Sequence, residues 1–136
     1  MRKKRGQAAV EYVVLVGTLL VFLIPVVYYA LNESSYQLKV SQLDNAVTRV
    51  SKAIDSVYAL GPGAQEIVTI TLPYGIEDVD VSDAGIHYTV SIFGGLSDFG
   101  YDTVANATGM MPILPGTYRI LVRHDAGGFV DVGLKP

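Results

Sequence analysis

Residues 13–31, VVLVGTLLVFLIPVVYYAL, form an apolar run with no charged side chain. As a helix, these 19 residues would reach about 28 Å at ~1.5 Å per residue, the thickness of a bilayer's hydrocarbon core. Pro25 stands inside the run; its ring removes one helical hydrogen bond and predicts a kink that membrane helices tolerate. The polar exit Asn32-Glu33-Ser34-Ser35 predicts a loosened turn or a restart capped by Ser34 or Ser35. Beyond it Tyr36, Val40, Leu43, Val47, Val50, Ile54 and Val57 recur at alternating steps of four and three. That is a heptad seam on one helix face. Lys39, Asp44, Asn45, Arg49, Lys52 and Asp55 fall between, as a solvated face. Gly61-Pro62-Gly63 ends the helix. Unbroken from Ala8 to Leu60, it would measure about 80 Å. The seam predicts packing on the domain that follows, near residues 43–58, and on other copies of the chain.

From residue 64 the period changes to two. EIVTITL (66–72), IHYTVSIF (86–93), TYRILVR (117–123) and FVDVGL (129–134) read as strands. Ile86, Tyr88, Val90 and Ile92 share one face of the second; His87, Thr89 and Ser91 share the other. Asp125-Ala126-Gly127-Gly128 reads as the turn of a terminal hairpin. VDV (79–81) and DTV (102–104) are weaker strand signals. The fold class is α+β: a long N-terminal helix, transmembrane then amphipathic, followed by a small antiparallel sheet or sandwich. Its expected parts are a leader at 1–6, an apolar helix at 7–31, an amphipathic helix at 32–60 and a β domain at 64–136.

Charge sharpens the N-terminal reading. Arg2, Lys3, Lys4 and Arg5 supply four of the ten basic residues; the other six stand among thirteen acidic ones. Cations before an apolar run hold that side in the cytoplasm, while Tyr28 and Tyr29 suit the far interface. This predicts an N-in, C-out span. A secretory signal would have a shorter apolar core and a small-x-small site after it, whereas YYALNESSYQ is bulky there. The remaining oddity is Glu11, a carboxylate about one turn inside the apolar helix. Such a group is costly unless paired, protonated or near the interface, and a plain anchor does not need it.

These residues resemble the class III signal sequence of archaeal type IV pilin-like proteins. In that family a basic leader ends in Gly, cleavage falls before Gln, and a Gln-x-Ser-x-Glu pattern runs into the apolar helix. Gly6, Gln7, Glu11 and the aromatic Tyr12 match; Ala9 departs from the preferred Ser. The resemblance covers the first thirty-odd residues. It implies cleavage between Gly6 and Gln7 by a prepilin peptidase, with the helix retained. Glu11 then becomes the fifth residue of the mature chain, placed to meet the N-terminal ammonium of a neighbouring subunit during assembly, an attraction that low dielectric strengthens. Cyclisation of Gln7 to an uncharged lactam would remove that partner.

Other chemistry is sparse. With no cysteine, disulfides, thiolate metal sites and a Cys nucleophile are excluded. The acidic body argues against nucleic acid as a partner. His87 and His124 stand in no catalytic motif and read as ordinary surface histidines. Glu77, Asp78, Asp80 and Asp83 could offer oxygen ligands to Ca²⁺, but their spacing is not that of an EF-hand loop; a solvated strand edge that discourages aggregation is the commoner use. No metal or cofactor is expected. Asn106-Ala107-Thr108 and Asn32-Glu33-Ser34 are N-glycosylation sequons, and in archaeal surface filaments such sites are commonly modified. Residues 91–116, SIFGGLSDFGYDTVANATGMMPILPG, read as a long segment that either forms an exposed contact surface or plugs the core.

The expected function is structural: a pilin, inserted in the membrane as a precursor, cleaved, and assembled into an extracellular helical homopolymer. Its partners would be identical or related subunits, the prepilin peptidase, the assembly machinery and, before assembly, lipid. The alternative is a signal-anchored, unpolymerised β domain facing outward as a binding or adhesion protein. An exported enzyme is the least favoured reading.

Overall fold

The computed structural model describes residues 2–83, 85–92 and 94–136, with the side chains of Arg2, Lys3 and Arg5 outside that set. Met1 of the leader and Phe93 of the expected 86–93 strand therefore lie outside the described residues. Helix α1 runs Arg2–Leu60, 59 residues. It begins before Ala8 and passes through Pro25 and the polar exit without a break. Neither the loosening nor the restart expected at Asn32–Ser35 occurs. Ser35, one of the two expected caps, bonds back into the existing helix instead: its Oγ donates to the Leu31 carbonyl at 3.0 Å, four residues back. Thr18 does the same to Val14 at 2.8 Å, which leaves its hydroxyl satisfied within an apolar helix.

By compactness the chain divides into Met1–Gln37 and Leu38–Pro136. The described residues of the first unit are helix alone. The second holds the rest of α1 and seven strands: β1 Gln65–Leu72, β2 Ile76–Ser82, β3 Gly85–Ile92, β4 Gly95–Asp102, β5 Ala107–Gly109, β6 Gly116–His124 and β7 Val130–Leu134. They form two sheets, ordered β1-β6-β7-β5 and β2-β3-β4. The architecture is α+β with no closed barrel. One feature departs from the expected antiparallel pattern: β5 pairs with β7 in parallel, Ala107 opposite Val130 and Gly109 opposite Val132.

The core explains why this small domain includes a helix. Leu43, Val47, Val50, Ile54 and Val57, the lower part of the seam, are buried together with Ala46 and Ala53. The inner faces of both sheets meet them: Val68 and Ile70 from β1, Ile120 and Val122 from β6, Val130 and Val132 from β7, and Ile86, Tyr88 and Val90 from β3. A β domain this small is marginal alone; the seam supplies a further apolar layer.

The segment 91–116 is not one loop. It contains β4, whose eight residues pair antiparallel with β3 from Gly85↔Asp102 to Ile92↔Gly95. The weak strand signal at 102–104 marks only the end of β4. Met110 is 82 % exposed, while Met111 is buried and accepts a hydrogen bond from the Tyr88 hydroxyl at Sδ. The adjacent methionines thus divide the two expected roles between surface and core.

Candidate functional site

The first uncovered surface is the apolar helix. Every residue from Gly6 to Asn32 is exposed, including Leu15, Phe22 and Ile24 at about six-tenths or more. The helix is long and apolar enough to cross a membrane. An exposed apolar surface of this extent needs lipid or protein around it. Glu11 lies on one flank of it, with Val10, Val14, Leu15, Thr18, Leu19 and Phe22 around it. Among the described residues its carboxylate makes no hydrogen bond or ion pair. Gly6 and Gln7 are helical and exposed. Pro25 is helical and exposed too.

The second surface belongs to the β domain, and two carboxylates of α1 set its frame. Asp44 accepts a hydrogen bond from the Tyr101 hydroxyl at 2.7 Å, and Asp55 accepts one from the Val104 amide at 2.8 Å. Three helical turns separate the two acids, so they stand on one stripe of α1. Together they clasp the end of β4 and the residues after it. Burial, then the Asp44 hydrogen bond and charge, push the Tyr101 phenol up to about 12. Burial raises the Tyr88 phenol further. Sequence reasoning placed Asp44 and Asp55 on a solvated face and missed both contacts. The 11-residue spacing was the available signal.

The outer face of β2-β3-β4 carries a ladder of acids. Across the strands, Asp78, Thr89 and Asp98 form one row; Asp80, His87 and Gly100 the next; Ser82, Gly85 and Asp102 the third. Thr89 Oγ1 donates to Asp98 at 2.8 Å and Ser82 Oγ to Asp80 at 2.8 Å. Glu77 falls at a register shift between Ile76 and Asp78. β2 is an edge strand, as its charges suggested. No three His, Asp or Glu side chains among the described residues gather as a metal site. The His87 ring covers Gly100, where an added Cβ would sit 2.7 Å from Nδ1.

His124 is not a surface residue. It is 5 % exposed, its ring centroid is 5.2 Å from that of Tyr58, and neither imidazole nitrogen has a hydrogen-bond partner. The missed signal was the strand's own alternation, because Tyr118, Ile120, Val122 and His124 share one face.

Asn106 is exposed, and its carbonyl accepts the Val130 amide at 2.9 Å. Asn106 and Thr108 face outward while Ala107 between them is buried. Asn32 is exposed on α1.

No protein-family model, no curated protein and no solved structure matches this chain. The geometry and the sequence therefore carry the functional reading.

Proposed function

We propose that this chain is the structural subunit of an archaeal type IV pilus-like surface filament, made as a membrane-inserted precursor and cleaved between Gly6 and Gln7. The observation that carries the reading is the uncovered apolar stretch of α1, with Glu11 on its flank, in one chain with a separately packed β domain. The basic leader sets N-in, C-out topology and is removed, leaving residues 7–136. In the membrane, lipid covers residues 13–31. In the filament, the same surface is covered by neighbouring helices. That exchange is nearly neutral in hydrophobic terms, because lipid tails are as apolar as leucine. Packing, pairing of Glu11 with a neighbour's new terminus and the assembly machinery supply the bias. Asn106 and Asn32 are the positions offered for glycosylation. The chain acts as a building block and catalyses no reaction.

The test is the N-terminus of the protein isolated from its native membrane. A start at Gln7, free or as its lactam, is the expected result. A retained Met1 or Arg2 would select an unpolymerised signal anchor. Changing Glu11 to Ala should leave membrane insertion intact and abolish or slow assembly; a normal filament yield would remove the assembly role assigned to Glu11.

A further inference from the structure

The charges of the unit Leu38–Pro136 are sorted by surface. Its cations are Lys39, Arg49, Lys52, Arg119, Arg123 and Lys135. Lys39, Arg49 and Lys52 stand on α1 and line a series of grooves between that helix and the segment from β1 to Tyr74. Thr69 of β1 lines two of these grooves and is the register partner of Arg119, while Gln65 is the partner of Arg123. Lys135 follows β7 and its amide donates to the Arg119 carbonyl at 2.9 Å. Lys39, Arg49 and Lys52 thus form the helix wall of the groove, while Arg119 and Arg123, which alternate with the buried Ile120 and Val122, stand on the sheet face turned away from α1. Glu66 lines one groove, and Asp131 meets Arg123 at 3.9 Å.

The outer face of β2-β3-β4 is the opposite in sign. It carries Asp78, Asp80, Asp98 and Asp102, and residues 76–102 contain no Lys or Arg. Among the described residues none of these acids forms an ion pair with the cations of α1 or β6. Arg123 pairs with Asp131 across β6 and β7. β1 also ends its sheet, so its outer backbone groups face the groove with no strand beside them.

Resting on the filament reading, we infer that adjacent subunits join through these unlike surfaces: the basic groove between α1 and β1 of one copy receives the acidic β2-β3-β4 face of the next. A contact between two different patches is heterologous, and it propagates along an open helix instead of closing into a pair. Like surfaces repel, which disfavours the two-fold dimer and sets the direction of growth.

The test uses the full chain, which has no cysteine of its own. Chains carrying Lys52→Cys and Asp78→Cys are co-expressed and filaments are oxidised. A disulfide-linked dimer should form in the mixture and in neither variant alone. Separately, Arg49→Glu with Lys52→Glu should cut filament yield about tenfold, the effect of like charges brought together. Adding Asp78→Lys and Asp102→Lys to the same chain should restore it. Circular dichroism confirms that each variant is folded. Filaments that form normally from the reversed chain, or cross-links equally abundant in each single variant, overturn the inference and leave the filament reading standing. An unaltered chain that makes no filament overturns both.

Discussion

The Tyr101 hydroxyl donates to Asp44 across 2.7 Å, joining two residues 57 positions apart in the chain. A hydrogen bond to a carboxylate is stronger than a neutral one, but Asp44 is exposed and water competes for it. Tyr101→Phe should therefore cost about 1 kcal/mol, read from chemical denaturation of the full chain in detergent. No change would show that the bond adds nothing to stability.

The same pair sets an alkaline limit. The folded-state phenol is held at about 12, above the usual value of about 10 in the unfolded chain. Between these values the unfolded chain releases the proton first, so stability falls as pH rises through the window. Below pH 10 the contribution is fully present. Tyr88, also raised by burial, adds to the loss in the same direction. Melting temperature should decline from pH 10 upward, and less steeply in Tyr101→Phe. Parallel profiles would contradict the assignment.

Asp55 holds the backbone amide of Val104. Asp55→Asn keeps an acceptor oxygen, whereas Asp55→Ala leaves none. Amide exchange at Val104 should accelerate markedly in the alanine variant and only slightly in the asparagine one. The stability cost of the alanine change should be about 1 kcal/mol.

Gly109 lies in the parallel β5–β7 pair with φ of 140°, and a Cβ there would overlap the Val132 carbonyl oxygen. Gly109→Ala combines backbone strain with overpacking and should cost about 3 kcal/mol or more. Gly133 on neighbouring β7 has open space at that position, so Gly133→Ala should stay within about 0.5 kcal/mol. Comparable melting temperatures for the two variants would refute this account of β5.

His124 has two buried nitrogens without partners. Replacing it with Phe keeps a ring against Tyr58 and removes the desolvated polar atoms. His124→Phe should be neutral or more stable by about 1 kcal/mol. Strong destabilisation would mean that the imidazole has a polar role.

The parts of the fold legible in the sequence were those written as local periods. The heptad seam located the buried stripe from Leu43 to Val57, and alternation located β1, β3, β6 and β7. β4 was hard to see because Gly-Leu-Ser-Asp-Phe-Gly-Tyr-Asp has weak strand propensity. Its pairing with β3 and its partly buried Phe99 and Tyr101 supply what propensity does not. β5 depends on a parallel partner more than 20 positions away, which no local pattern announces. The uncovered apolar helix and Glu11 were readable from hydropathy and charge alone. The clasp by Asp44 and Asp55 was not, since each partner lies about 50 residues downstream. Nor was the sorting of acids and cations onto separate faces, which depends on strand register.

The clasp also locks a stretch of chain length. Asp44 and Asp55 work as a pair only because the helix between them completes three turns. One inserted or deleted residue would rotate one acid away by about 100° and carry half the seam out of phase with the sheets. Between these two positions, a change in length is harder for the domain to absorb than most changes of side chain.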